Sequence, residues 1–152
     1  ALFRNCFKFS WIHPEHLHKE LYVVNDEMLT LASEYIKNLD NEISPYDKIK
    51  MFAKAFEIVQ STIKMFDIKD DNALIMLLTY VFIKSQYMGF DSKYLYMTLY
   101  LTKEQRTPYY EKVLDMFGKA KEMVETLTKE NLINITDEEY KANVEKVYSG
   151  NQ

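Results

Sequence analysis

Three pairs of adjacent carboxylates are the side chains of this sequence best suited to acid–base or cation chemistry: Asp26–Glu27, Asp70–Asp71 and Glu138–Glu139. Each pair stands where a helical pattern begins, and carboxylates are stabilised near the positive end of the helix dipole. A helix start therefore explains each pair without any reaction. The pair Asp70–Asp71 is of most interest because it leads into the most apolar stretch of the chain.

Other patterns of catalytic residues are absent from the sequence. It has no glycine-rich phosphate loop, no His-Glu-x-x-His motif and no nucleophile elbow, and no histidine can be placed beside its single cysteine, Cys6. His13, His16 and His18 are the only candidates for a metal cluster, and solvated loop histidines are the alternative. We predict no covalent chemistry, no metal site and no cofactor.

Size and composition indicate one globular domain over residues 1–152, with 47% hydrophobic and 28% charged residues. A single cysteine excludes an intrachain disulfide, and the first residues do not read as a signal peptide. We expect the sequence to be a domain of a longer protein. Its net charge of −4, with acidic and basic residues interspersed, argues against binding to nucleic acid.

We predict that these residues lie on helices. From Ala73 to Ile83 every residue except Thr79 is apolar, so a helix here is hydrophobic on all sides and belongs in a core. The run is about half of the roughly 20 residues that a membrane span needs. We therefore predict a buried central helix over Asp71–Met88, ended by Gly89, and no insertion into a membrane.

Five further helices are predicted from apolar residues at spacings of three and four and from capping residues. They cover approximately residues 25–41, 44–66, 91–101, 107–127 and 136–148. Residues 2–18 contain Pro14 and are predicted to form an extended or irregular arm over the core. The predicted fold is all-α, a layered bundle of about six helices around the central one.

Several segments, in the right order, resemble the vacuolar protein sorting nine (Vps nine) domain. This is the exchange-factor domain for early-endosomal Rab GTPases of the Rab-five subfamily. The similar segments are Trp11–Leu17, Ser44–Ile49, Asp70–Lys84, Tyr109–Tyr110 and Leu127–Tyr148. Together they cover nearly the whole chain.

The resemblance implies a mechanism without covalent steps. A hydrophobic groove of the domain binds the switch regions of a Rab, and an aspartate at the start of the central helix enters the nucleotide site. There it competes for the phosphate-loop lysine and disturbs the magnesium ion, so that GDP leaves. The resemblance also implies a cytoplasmic protein that other regions of the full-length chain recruit to endosomal membranes.

The family pattern matches the predicted site only in part. The catalytic aspartate of the family aligns with Asn72, whereas this chain has its acids at Asp70 and Asp71. The groove proline aligns with Met76, the tyrosine with Tyr109 and a threonine three residues later with Lys112. We predict Asp71 as the catalytic carboxylate. The predicted partner-binding residues are Asp70, Asn72, Met76, Tyr109, Tyr110 and Lys112.

Two functions follow from this partial match. The first is a working exchange factor, with Asp71 as the inserted carboxylate and with Tyr109 and Tyr110 gripping the switch regions. The second is a helical interaction or scaffold domain that keeps the fold without exchange, which Met76 and Lys112 favour. Local structure offers an alternative for each main residue: an N-cap for Asp71 and packing at a helix start for Tyr109.

Overall fold

Seven α-helices form the fold of residues 2–150, the part of the chain that this computed structural model describes. Within this range there is no strand, which confirms the predicted all-α bundle, with seven helices where about six were expected. The helices are α1 (Leu2–Lys8), α2 (Thr30–Lys37), α3 (Pro45–Met65), α4 (Asp71–Ser85), α5 (Phe90–Tyr100), α6 (Pro108–Glu125) and α7 (Asp137–Ser149).

Three helix starts follow directly from capping residues in the sequence. The hydroxyl oxygens of Ser44, Thr107 and Thr136 each accept a hydrogen bond from the backbone N–H three residues later, at 3.0, 3.2 and 3.1 Å. Proline follows the first two of these residues and needs no N–H partner at the first helical position. The predicted starts of α3, α6 and α7 are confirmed.

Helix α4 lies at the centre of the core, as its composition predicts. Every residue from 77 to 83 is buried, and the helix packs against α1, α2, α3 and α6. Thr79, the one polar residue of the apolar run, donates its hydroxyl to the carbonyl of Ile75 at 2.7 Å, so its burial leaves no polar group unpaired. No helix of residues 2–150 combines the length and the hydrophobicity that crossing a bilayer requires.

The end of α4 differs from the prediction. The helix stops at Ser85, and Gln86 takes the left-handed conformation (φ 48°) that often ends a helix. Gly89, where the end was predicted, has a φ of −85°. The Gln86 amide donates to the carbonyls of Cys6 and Ile83 at 2.6 and 2.5 Å. These two bonds offset the steric cost of a left-handed non-glycine residue.

The predicted arm over residues 2–18 is wrong for its first half, because residues 2–8 form α1. Leu2, Cys6 and Phe9 are buried, at spacings of four and three residues that match the face of a helix. The Asn5 amide donates to the carbonyls of Val124 and Glu125 and so anchors α1 at the end of α6. Pro14 affects only the irregular segment that follows.

The predicted helix over residues 25–41 is present in three pieces. A 3₁₀ turn over Asp26–Leu29 leads into α2, and a second 3₁₀ turn covers Leu39–Asn41. Asn25 caps the first turn by accepting from the N–H of Met28 at 3.2 Å. Asn25 thus acts as a cap, as its residue type favours, whereas the predicted continuous helix is interrupted.

Candidate functional site

Asp70 caps the N-terminus of α4. Its Oδ1 accepts from the N–H of Asn72 at 2.9 Å, and its Oδ2 accepts from Nε2 of His18 at 3.0 Å. The hydrogen bond from the Asn72 backbone, followed by that from His18, lowers the pKa of the Asp70 carboxyl. Asp70 is therefore held in place by two donors.

Asp71 is the first residue of α4, and its side chain is exposed. Among residues 2–150 its carboxylate has no hydrogen-bond or ion-pair partner, unlike that of Asp70. The N-cap role considered for Asp71 is therefore wrong, because Asp70 fills it. A carboxylate that the fold does not use is available to a partner molecule.

Asp70 and Asp71 lie on the wall of a cavity of about 500 Å³ between the end of α3, the start of α4 and the middle of α6. Leu74 of α4, Ile63 of α3 and Met116 of α6 provide its apolar surface. Lys64 and Lys69 belong to the same lining. The cavity thus combines an apolar surface with both signs of charge around Asp71.

Asn72 and Met76 point away from this cavity. One residue of α-helix turns a side chain by about 100°, so these two residues share a face that differs from the face of Asp71 and Leu74. Met76 is partly buried and packs against the core, and Asn72 is exposed. The structure therefore separates Asp71 from two of the predicted partner-binding residues.

Tyr109 stands in the first turn of α6 and reaches α3. Its hydroxyl donates to Oε1 of Glu57 at 2.8 Å, its ring lies 6.4 Å from that of Phe56, and 39% of the residue is exposed. Partial burial, followed by the hydrogen bond to Glu57, raises the pKa of Tyr109 to about 12. The packing alternative has direct support, while part of the ring stays accessible.

Tyr110 and Lys112 extend this aromatic cluster. The ring of Tyr110 packs edge to face on Tyr46 of α3, with centroids 5.9 Å apart. The ammonium group of the exposed Lys112 lies 5.8 Å from the centroid of Phe56. Three predicted partner-binding residues therefore meet at the junction of α3 and the start of α6.

Two patches share this α3–α6 junction. The aromatic cluster contains Glu57 and Tyr109, and the cavity contains Lys64 and Met116, which are seven residues further along the same two helices. Seven residues correspond to two turns, about 10 Å. The sequence did not point to Glu57 or Met116, since neither belongs to a recognisable motif, and it did not predict the pairing of His18 with Asp70.

The three histidines do not come together as one group, although the rings of His13 and His16 lie 5.7 Å apart. His18 instead lies beside Glu20 and Asp70, and one possible ligand atom from each of these residues lies within 4.8 Å of the others. The N–H of Glu20 donates to Nδ1 of His18 at 3.1 Å, so the imidazole proton sits on Nε2 and points at Asp70. A cation at Nε2 would need that proton moved to Nδ1, against the Glu20 N–H. Hydrogen bonds therefore organise this trio better than a metal ion would.

One acid of each of the other two pairs has a partner within the chain. Asp26 accepts from the Tyr80 hydroxyl and lies 3.2 Å from Nδ1 of His13. Glu139 closes the capping box of Thr136 at the start of α7. Glu27 and Glu138 resemble Asp71, since each is exposed and has no side-chain partner in the described structure. Asp71 differs from them in its position at the start of the buried helix α4, beside the apolar surface of the cavity.

Two comparisons with known proteins find no relative of this chain. No model of a known protein family matches the chain, and a search of curated proteins finds no match.

Proposed function

We propose that this chain is an exchange-factor domain for an early-endosomal Rab GTPase of the Rab-five subfamily. The observation that carries the proposal is the position of Asp71. Its carboxylate is exposed and unpaired at the start of a rigid, buried helix, on the wall of a cavity that has an apolar surface. The segments that resemble the Vps nine domain give this carboxylate its proposed task.

The proposed mechanism is charge competition. Lysine and Mg²⁺ hold the phosphates of a nucleotide by charge, and a carboxylate can replace phosphate oxygens as the partner of the lysine. Asp71 enters the nucleotide site of the Rab and weakens the hold on GDP. The domain binds the empty Rab more tightly than the loaded one, and this difference in affinity drives release.

The proposal includes a place of action. The Rab partner acts at early endosomes, so we place the domain in the cytoplasm and assign its recruitment to endosomal membranes to other regions of a longer chain. The two patches at the α3–α6 junction then contact the Rab switch regions together, with Asp71 at one end and Tyr109 at the other.

A scaffold that binds without exchange is the second candidate. The specific observation in its favour is the Tyr109 hydroxyl, which Glu57 of the same chain already engages at 2.8 Å. The position of Met76, packed on the core where the family has its groove proline, points the same way.

Release of a fluorescent GDP analogue from a panel of early-endosomal Rabs, with GTP in excess, separates these functions. We expect faster release with the wild-type chain and loss of the acceleration with Asp71→Asn. Glu145→Gln removes an exposed carboxylate of α7 and serves as the control that should keep it.

Binding to nucleotide-free Rab completes the test. Asp71→Asn should retain this binding, since only the inserted charge is lost. Binding without acceleration by the folded wild-type chain would favour the scaffold, and absence of both from every Rab would contradict both proposals.

A further inference from the structure

Helix α5 has apolar residues on two opposite faces. Phe90 and Met97 are buried against the rest of the bundle, whereas Leu95 and Leu99 are 56% and 63% exposed. Each residue of a helix turns by about 100°, so Leu95 and Leu99 each lie about 160° around the helix from the buried Met97. Both therefore face outward, away from the bundle. A helix that is apolar on both faces is normally covered on both.

The outer face belongs to a wider apolar surface, the α5 patch, made of Ile43, Leu95, Tyr96, Leu99 and Tyr100. The hydroxyl of Tyr96 donates to the carbonyl of Ile43 at 3.4 Å, and the rings of Tyr96 and Tyr100 lie 5.4 Å apart. Ile43 is 87% exposed. These side chains are held by their neighbours and no described part of the chain covers them.

Charged side chains stand at both ends of this surface and also along its sides. Arg106 donates to the carbonyl of Thr98 on one side, and Asp40, Glu42 and Lys93 lie near Ile43 and Tyr96 on the other. Residues 94–102 contain no charged side chain, Asp91 stands one turn before them, and Lys103 follows directly. Asp91 already contacts Lys121 at 2.9 Å, and its carboxylate is still largely exposed. Lys103 is exposed and has no ion pair with any residue from 2 to 150.

We propose that the α5 patch binds a second copy of this chain, with the two α5 helices antiparallel around a two-fold axis at Met97. Leu95 and Leu99 are each two residues from Met97, so this axis places Leu95 of one copy against Leu99 of the other. Lys103 lies in the turn after α5 ends at Tyr100, so the same axis brings the Asp91 end of one helix towards the Lys103 turn of the other. One axis therefore satisfies both the apolar and the charged pairs.

This self-complementarity is what an isologous interface requires, because the same patch must serve both partners. A patch of five side chains lies at the small end of specific interfaces, so we expect association in the micromolar range. The paired charges at the rim favour the antiparallel arrangement, since a parallel one would bring Asp91 next to Asp91.

Sedimentation of the full 152-residue chain over roughly 1 µM to 1 mM tests the proposal. We expect a monomer–dimer equilibrium that Leu99→Glu weakens at least tenfold, because it would bury a charge opposite a leucine. Leu31→Glu on α2, at a residue 51% exposed, is the matched control that should leave the equilibrium unchanged. A chain that stays monomeric throughout, or that loses dimers with Leu31→Glu and not with Leu99→Glu, overturns the proposal.

Disulfide trapping tests the arrangement of the two helices. Cys6 is only 3% exposed, so a cysteine introduced on α5 is the reactive one. A mixture of Leu95→Cys and Leu99→Cys chains should form mixed disulfide dimers faster than either variant alone, since the proposed axis makes these two positions neighbours. Trapping that is fastest for either variant alone contradicts the axis at Met97.

The charge pair provides an independent check. Asp91→Lys and Lys103→Asp should each weaken the dimer, and the double variant should restore it, because the swapped charges again face each other. Circular dichroism verifies that each variant is folded. Single variants that both leave the dimer unchanged would remove this pair from the interface and, with it, the proposed register.

Discussion

Nε2 of His18 donates to the carboxylate of Asp70 at 3.0 Å, across 52 residues of sequence. This bond connects the segment before α2 to Asp70, the N-cap of α4. It also occupies the carboxylate that is adjacent to Asp71, so the two acids of the pair have different roles. Asp70 serves the fold, and Asp71 remains available to a partner.

The first prediction concerns the charge of Asp70. Asparagine in its place keeps an oxygen that can cap α4 but loses the charge. The folded chain lowers the pKa of Asp70, so this carboxylate stabilises the fold fully above its unfolded pKa of about 3.9, and the stabilisation is lost as the pH falls through the folded pKa. Asp70→Asn should therefore be less stable than wild type at neutral pH and nearly equal to it once the pH is below the folded pKa of Asp70.

Urea unfolding followed by circular dichroism, at a series of pH values, measures this difference. The decisive quantity is how the difference in unfolding free energy between wild type and Asp70→Asn varies with pH. A difference of the same size at every pH would mean that shape or packing, and not charge, accounts for the loss of stability in Asp70→Asn.

The second prediction concerns Asn5, which anchors α1. Its amide donates to the carbonyls of Val124 and Glu125 at 2.8 and 3.0 Å, where α6 has no further N–H groups to offer. Asn5→Ala should cost about 1–2 kcal/mol of unfolding free energy. Asn5→Asp should cost more, because its oxygens would face carbonyl oxygens.

Urea unfolding of these variants should be compared with Asn143→Ala. Asn143 is only partly buried and donates to a carbonyl of its own helix α7 through a solvent-exposed hydrogen bond, so its loss should change stability by less than about 0.5 kcal/mol. An Asn5→Asp chain as stable as wild type would show that the amide does not hold α1.

The third prediction concerns the centre of the core. Leu78 is fully buried in α4, so Leu78→Ala should leave a cavity and cost about 2–5 kcal/mol of unfolding free energy. Leu31→Ala, at a half-exposed residue of α2, should cost clearly less. Chemical denaturation of both variants decides the point, and similar losses would mean that α4 is not the centre of the core.

Local signals explain why much of the fold could be predicted. The side chains of Ser44, Thr107 and Thr136 bond to an N–H three residues away, so a short stretch of sequence contains both partners. The burial of α4 was equally predictable, because its apolar residues occupy its whole circumference.

The errors arose where distant partners decide the structure. The amide of Gln86 donates to the carbonyl of Cys6, 80 residues away. This contact supports the left-handed conformation of Gln86 and so ends α4 three residues before Gly89, the predicted end. The spacing of Leu2, Cys6 and Phe9 contains a helical signal. Pro14 disfavours helix at His13, directly before it, and has no such effect on residues 2–8.

In the candidate site, too, local features could be predicted from the sequence and long-range contacts could not. Sequence placed an acidic pair at the start of α4, yet it could not say which acid is the cap, because the His18 donor comes from another part of the chain. It also identified Tyr109 without its partner Glu57, which lies 52 residues earlier on α3. Long-range pairs of this kind leave no periodic pattern in a single sequence.

The last prediction separates the two roles of Tyr109. Tyr109→Phe removes the hydroxyl that binds Glu57 and keeps the ring, whereas Tyr109→Ala removes both. If the ring grips a Rab switch region, Tyr109→Ala should weaken binding to nucleotide-free Rab by about 1–3 kcal/mol, as truncation of an aromatic anchor does, and Tyr109→Phe should bind nearly as wild type. Titration calorimetry measures the binding, and urea unfolding of the same variants measures the fold. Unchanged binding of a folded Tyr109→Ala chain, together with a loss of stability in both variants, would assign Tyr109 to the packing of α6 on α3 alone.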